Sequence, residues 1–136
     1  WINAMQDRPT ATELLEAIEE FLRDRSTNEK DRYYKFQFLV AANSLAVLRR
    51  EWELEEGHLY SEWIRLNELL LDSPEMPPDT ASIRQELLAR NERLCDLINA
   101  GAFDDPGAER ALIEHLIATA RDELRIASPQ QADEPA

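Results

Sequence analysis

Apolar positions recur along most of this chain at steps of three and four, the spacing of one face of an α-helix. After Arg8-Pro9, Thr10 and Glu13 have the spacing of a reciprocal capping box. Leu14, Ile18, Phe21 and Leu22 then form one stripe, with Glu16, Glu19 and Glu20 on the other side, predicting a first helix that ends in "RSTNEKD". A second helix is predicted over about 31–55. In it Tyr34, Phe38, Ala41, Leu45, Leu48 and Trp52 make one line, and Phe36, Leu39, Val40, Ala46 and Val47 another. A helix apolar nearly all round is expected to be buried and central.

Gly57 predicts a break, although Trp52 to Leu59 keeps the seven-residue phase that one uninterrupted helix would need. Leu59, Trp63, Leu66 and Leu70 stripe a third helix. Pro74, Pro77 and Pro78 make "DSPEMPPD" a loop, since proline removes a donor and crowds the preceding turn. A fourth helix runs from Asp79 or Thr80 to Ala100, with Ile83, Leu87, Leu94 and Ile98 inward and Gly101 as its stop. Asp105 caps a fifth helix, and Pro106 takes the first position, where its missing N–H costs nothing. Ile113, Leu116, Ile117, Ala120 and Leu124 are its expected buried face. The pattern predicts an all-α fold: a single-domain bundle of about five helices, over residues 5–127, around the buried helix at about 31–55. Residues 128–136 read as a flexible polar tail. Trp1–Ala4 read as a remnant ahead of a natural start at Met5.

Charge narrows the function classes. Fifteen Lys and Arg stand against 28 Asp and Glu, a net charge of −13 in 136 residues. Such a field repels phosphate backbones and anionic lipid, so neither nucleic acid nor membrane is expected as a partner. One cysteine, Cys95, leaves no internal disulfide and fits a reducing cytoplasm.

Candidate chemistry is sparse. Glu55-x-x-His58 has the spacing of a carboxylate-bridged di-metal site, but the only other histidine, His115, is preceded at that spacing by Leu112. No metal and no cofactor are therefore expected. Cys95 reads as a small buried hydrophobe beside Leu94 and Ile98. His115 reads as a boundary residue at the edge of the last apolar face, and Trp52, Tyr60 and Trp63 as core. Asn43 stands apart, a lone amide in the apolar run "FQFLVAANSLAVL". It is either a structural clamp bonded to backbone groups or a ligand-facing residue. In the first case Asn43→Leu would leave partners unpaired, at a cost of roughly 2–4 kcal/mol.

Four stretches carry a resemblance: "MQDRPTATELLEAIEEFL", "VAANSLAVLRRE", "LCDLINAGAFD" and "HLIATARDELRIASP". Together they resemble an uncharacterised bacterial family of small helical proteins, from Met5 to about Pro129. The resemblance implies a setting: genes beside aminoglycoside-phosphotransferase-like kinases and acyl-CoA dehydrogenases, and an accessory role in acyl-CoA metabolism. The chain departs from that family at Gln37 and Leu39, where members carry histidine and arginine. It departs again at Ser128-Pro129-Gln130, where asparagine, proline and a basic residue are usual. These departures weaken any site those residues form in relatives. The resulting expectation is a non-enzymatic accessory or protein-interaction module that binds such a kinase or dehydrogenase, or a second copy of itself. The alternative is a small-ligand-binding or weakly catalytic domain with a pocket near Asn43.

Overall fold

The computed structural model describes residues 8–132. The expected remnant at residues 1–4, the expected start at Met5 and the end of the expected tail, residues 133–136, lie outside the described residues. Among the described residues every regular element of the chain is a helix. Its elements are α1 (Ala11–Asn28), α2 (Arg32–Leu70), α3 (Thr80–Asn99), α4 (Pro106–Ala127) and a short α5 (Pro129–Ala132). The residues that begin and end these helices are those the sequence singles out. The Thr10 hydroxyl accepts from the Glu13 amide while the Glu13 carboxylate accepts from the Thr10 amide, two otherwise orphaned donors satisfied at once. Asp79 accepts from the Ser82 amide at the start of α3. Asp105 accepts from the Gly107 and Ala108 amides over Pro106. Gly101, with φ of +79°, takes the left-handed conformation that ends α3.

Two expectations are corrected. The helix does not break at Gly57: α2 is continuous over 39 residues. Nothing lies within 4 Å of a Cβ placed at Gly57, so this glycine fills no structural need for a missing side chain. Its penalty of about 1 kcal/mol relative to alanine is too small to interrupt a strongly periodic segment. The segment at about 31–55 is also not buried. Phe36 is 60% exposed and Trp52 68%, and only Ala42 and Ala46 are covered.

The physical reason lies in how the chain divides. Two compact units meet in sequence between Leu54 and Glu55. The first holds α1 and the first half of α2, so a single neighbouring helix is available and can cover a single face. Glu19 of α1 pairs with Arg49 of α2 at 3.3 Å, and Arg23 donates to Asn43 at 3.2 Å. The expected inner stripe of α1 is open, with Leu14 49%, Ile18 48% and Phe21 62% exposed.

The second unit has the true core. Trp63, Leu66 and Leu70 of α2 meet Leu87 and Leu94 of α3 and Leu112 of α4. Met76 and Phe103 close its edges from the two connecting loops. The seven-residue phase of the second half of α2 supplies the central strip, and α3 and α4 packed on it exclude water from Leu66 entirely. Pro129–Ala132, read as the beginning of a polar tail, forms a helical turn with Ala132 covered.

Candidate functional site

The second unit contains a cleft of about 560 Å³. Arg65, Glu68 and Leu69 of α2 form one side, Glu114 and His115 of α4 another, and Phe103 an end. Most of the remaining lining is aliphatic, with a few polar groups converging on it, the composition of small-molecule sites. Leu71 lies at its rim, 92% exposed and with φ of +52°, a left-handed conformation that leucine adopts only under strain.

α4 is turned by about one residue from its expected orientation. Ile113, Leu116 and Ile117 are roughly half exposed, while Leu112 and His115 face inward. Together with the packing of Leu112 into the core, Arg65 holds α4 in this orientation. Its guanidinium donates to Thr119 Oγ1 at 3.2 Å and to Asp122 Oδ2 at 3.1 Å, so the seam His115, Thr119, Asp122 must face α2. Asp122 also approaches His58 Nε2 at 3.9 Å and Arg125 at 3.3 Å. A charge-assisted bond on a planar guanidinium is directional enough to set the rotation of a helix.

His115 is 5% exposed, a correction to its reading as a boundary residue, and its Nδ1 is buried without a hydrogen-bond partner among the described residues. Burial first, and the Arg65 cation second, hold the imidazole below its usual titration range; Glu62 pulls weakly the other way. His115 is therefore a neutral imidazole at pH 7. In the unfolded chain it binds a proton near pH 6.5, as free histidine does. Its folded value is depressed, so the unfolded state takes up the proton first as pH falls. The resulting stability is fully present above about pH 6.5 and is lost below it. Urea unfolding at pH 7.5 and 5.5 should show that loss. In His115→Leu the slope should flatten, with stability at pH 7.5 held or raised because Nδ1 has no partner to lose.

The other candidates disperse. Asn43 is exposed, and its amide oxygen accepts from Arg23 on α1. It links α2 to α1 through a side chain, not through backbone groups. A surface bond of that kind contributes about 0.5–1.5 kcal/mol, below the cost expected for a buried clamp. Asn43 is not among the residues lining the cleft. Glu55 is engaged by Arg84 and His58 faces Asp122, so the Glu-x-x-His pair does not converge. Among the described residues no three His, Cys, Asp or Glu side chains gather in a metal-holding group. Cys95 is exposed on α3, not buried. Of the three aromatics read as core, Trp63 is 1% exposed while Trp52 and Tyr60 face outward. Among the described residues no helix is long and apolar enough to cross a membrane.

One buried cation escaped the sequence reading. Arg90 is 4% exposed, its Cζ lies 4.7 Å from the centroid of the Trp63 ring, and Asp72 accepts from it at 2.5 Å. The available signal was spacing: Arg90 sits three residues after Leu87 and four before Leu94, on the inward stripe of α3.

Residues 28–131 match a domain of unknown function, DUF6285. The match begins at the last residue of α1 and takes in all of α2, α3 and α4. No match was found among curated proteins or among solved structures.

Proposed function

We propose that this chain, which belongs to the DUF6285 family, is a non-enzymatic protein-interaction module whose N-terminal helical pair carries the binding surface. One observation supports the reading. Ten large apolar residues between Leu14 and Trp52 are exposed, five of them aromatic, on a unit with one face of each helix covered at most. Exposed apolar surface on this scale marks association sites in soluble proteins, and aromatics dominate the energetics of such sites. The sequence resemblance supplies the setting: a bacterial cytoplasm, and a phosphotransferase-like kinase or acyl-CoA dehydrogenase as the partner that the accessory module serves. The exposed thiol of Cys95 suits a reducing compartment.

Co-expression with each neighbouring protein tests the reading. One of them should co-purify with the wild-type chain and be lost with Trp52→Glu, a change at a 68% exposed position that leaves the core intact. Leu88→Glu, equally exposed on α3 in the other unit, should retain it. Co-purification of neither protein counts against the assigned partners.

The cleft favours a second reading, a binding site for a small molecule. Its apolar walls, with one guanidinium, one neutral imidazole and two carboxylates, suit a small ligand with an apolar body and polar ends. A thermal-shift screen of such compounds, repeated on His115→Leu, distinguishes the two readings.

A further inference from the structure

We infer that the partner seated on the first half of α2 is a second copy of this chain, packed antiparallel across residues 33–51. The inference rests on the interaction-module reading and names the occupant of one face of that surface, leaving Trp52 and the α1 residues Leu14, Ile18 and Phe21 to a neighbouring protein.

Charge is the first argument. Residues 8–54 carry eight basic and nine acidic side chains, whereas residues 55–132 carry seven and sixteen. The acidity of the protein is thus concentrated in its second unit, and the first is close to neutral. Two copies can approach through the first unit without the repulsion their whole charge would impose. Within α2 the run Phe36–Leu48 holds no charge at all over thirteen residues.

Area is the second. Tyr33, Tyr34 and Phe36 are 56% to 64% exposed, and Leu39, Val40 and Leu48 37% to 46%. At about 150–250 Å² per aromatic side chain, the three aromatics present on the order of 350 Å². The three aliphatic side chains add to this, approaching the scale of about 800 Å² per partner that a standard interface buries. A heterologous contact would leave one copy of the patch open; an isologous one covers both.

Pattern is the third and most specific. The outward stripe of α2 reads Tyr33, Phe36, Val40, Ser44, Leu48, Glu51, all exposed. Its spacing of three, four, four, four, three is the same in both directions. A two-fold axis level with Ala42 therefore sets Val40 against Ser44 of the other copy, Phe36 against Leu48, and the Tyr33 hydroxyl against the Glu51 carboxylate. The small Ser44 at the centre admits close approach of the two helices. The polar pair at each end favours this register over the slip of one turn that sets Glu51 against Phe36 or Gln37, and the opposite slip, which brings Glu51 to Lys30, sets Phe36 against Ser44 or Leu45 in place of Leu48. Ala42 itself faces the opposite way, fully buried.

Sedimentation equilibrium over about 1–100 µM, the range of a modest protein–protein affinity, should give twice the chain mass for the wild type. Val40→Glu places two like charges beside the axis and should return the mass to that of one chain, with an unchanged circular dichroism spectrum. Register is read by oxidation in a Cys95→Ser background. An equimolar mixture of Val40→Cys and Ser44→Cys should cross-link mainly between the two variants, with each alone giving little dimer. Equal cross-linking of Val40→Cys to itself overturns the antiparallel arrangement. A wild type that stays monomeric yet loses its co-purifying neighbour on Val40→Glu overturns the second copy and leaves the interaction reading standing. A monomer in which Val40→Glu changes neither property overturns both.

Discussion

Trp63→Ala is expected to destabilise the protein by about 3–5 kcal/mol, the range for truncating a fully buried aromatic. Trp63 is 1% exposed and stands at the start of the apolar strip that α2 sends between α3 and α4. Its removal opens a void lined by leucines, whose contacts on that side vanish because a close-packed interior relaxes only in part. It also strips Arg90 of the ring beneath its guanidinium, a cation–π contact of about 1–2 kcal/mol when desolvated. Trp52→Ala is the control within the same helix. At 68% exposure its side chain gains little from folding, and its loss should fall within about 0.5 kcal/mol. Urea denaturation followed by far-ultraviolet circular dichroism measures both. Comparable losses for the two would mean that residues 32–54 are buried in solution.

The contrast between these tryptophans shows what the chain makes legible. Local rules read correctly wherever the interaction is local. Thr10 with Glu13, Asp105 before Pro106, and Gly101 with positive φ each act within a few residues. Leu59, Trp63, Leu66 and Leu70 also read correctly, because a narrow stripe on an otherwise polar helix has one orientation that excludes water. Where the apolar arc is wide, periodicity loses its direction. On α2 the run Phe36–Leu48 leaves no polar face to mark the outside, and burial was inferred where the structure has an open surface. On α4 either Ile113, Leu116 and Ile117 or Leu112 could face inward; the orientation is held by Arg65, a residue 54 positions from Thr119, and by the packing of Leu112 into the core. The candidate site failed for the same reason. The cleft is built from groups such as Arg65, Phe103 and His115, whose convergence depends on the packing of three helices, and no local motif records it. Asn43 drew notice because it interrupts a pattern, but a polar interruption marks a site only if the pattern around it is buried.

Asp72→Ala is expected to cost about 2–4 kcal/mol and Arg90→Met to stay within about 1 kcal/mol of the wild type, although both remove the same ion pair. The asymmetry follows from burial. Arg90 is 4% exposed, its Nε and Nη1 lack partners among the described residues, and Asp72 is the acceptor on its Nη2. Deleting Asp72 leaves a cation inside the protein facing, among the described residues, the Trp63 ring. The cost falls below that of a wholly enclosed pair because the Asp72 side chain is itself 29% exposed and shared with Arg93 at 2.8 Å. Deleting Arg90 instead removes the charge together with its two unpartnered nitrogens, and methionine is flexible enough to fill the space over the ring. Asp72 is then a partly solvated carboxylate that still has Arg93. The double variant Asp72→Ala, Arg90→Met should accordingly be more stable than Asp72→Ala alone, recovering most of its loss. Chemical denaturation of the four proteins closes the thermodynamic cycle. If Asp72→Ala proves no worse than Arg90→Met, the guanidinium reaches water in solution and the inward stripe of α3 is looser at Arg90 than its 4% exposure indicates.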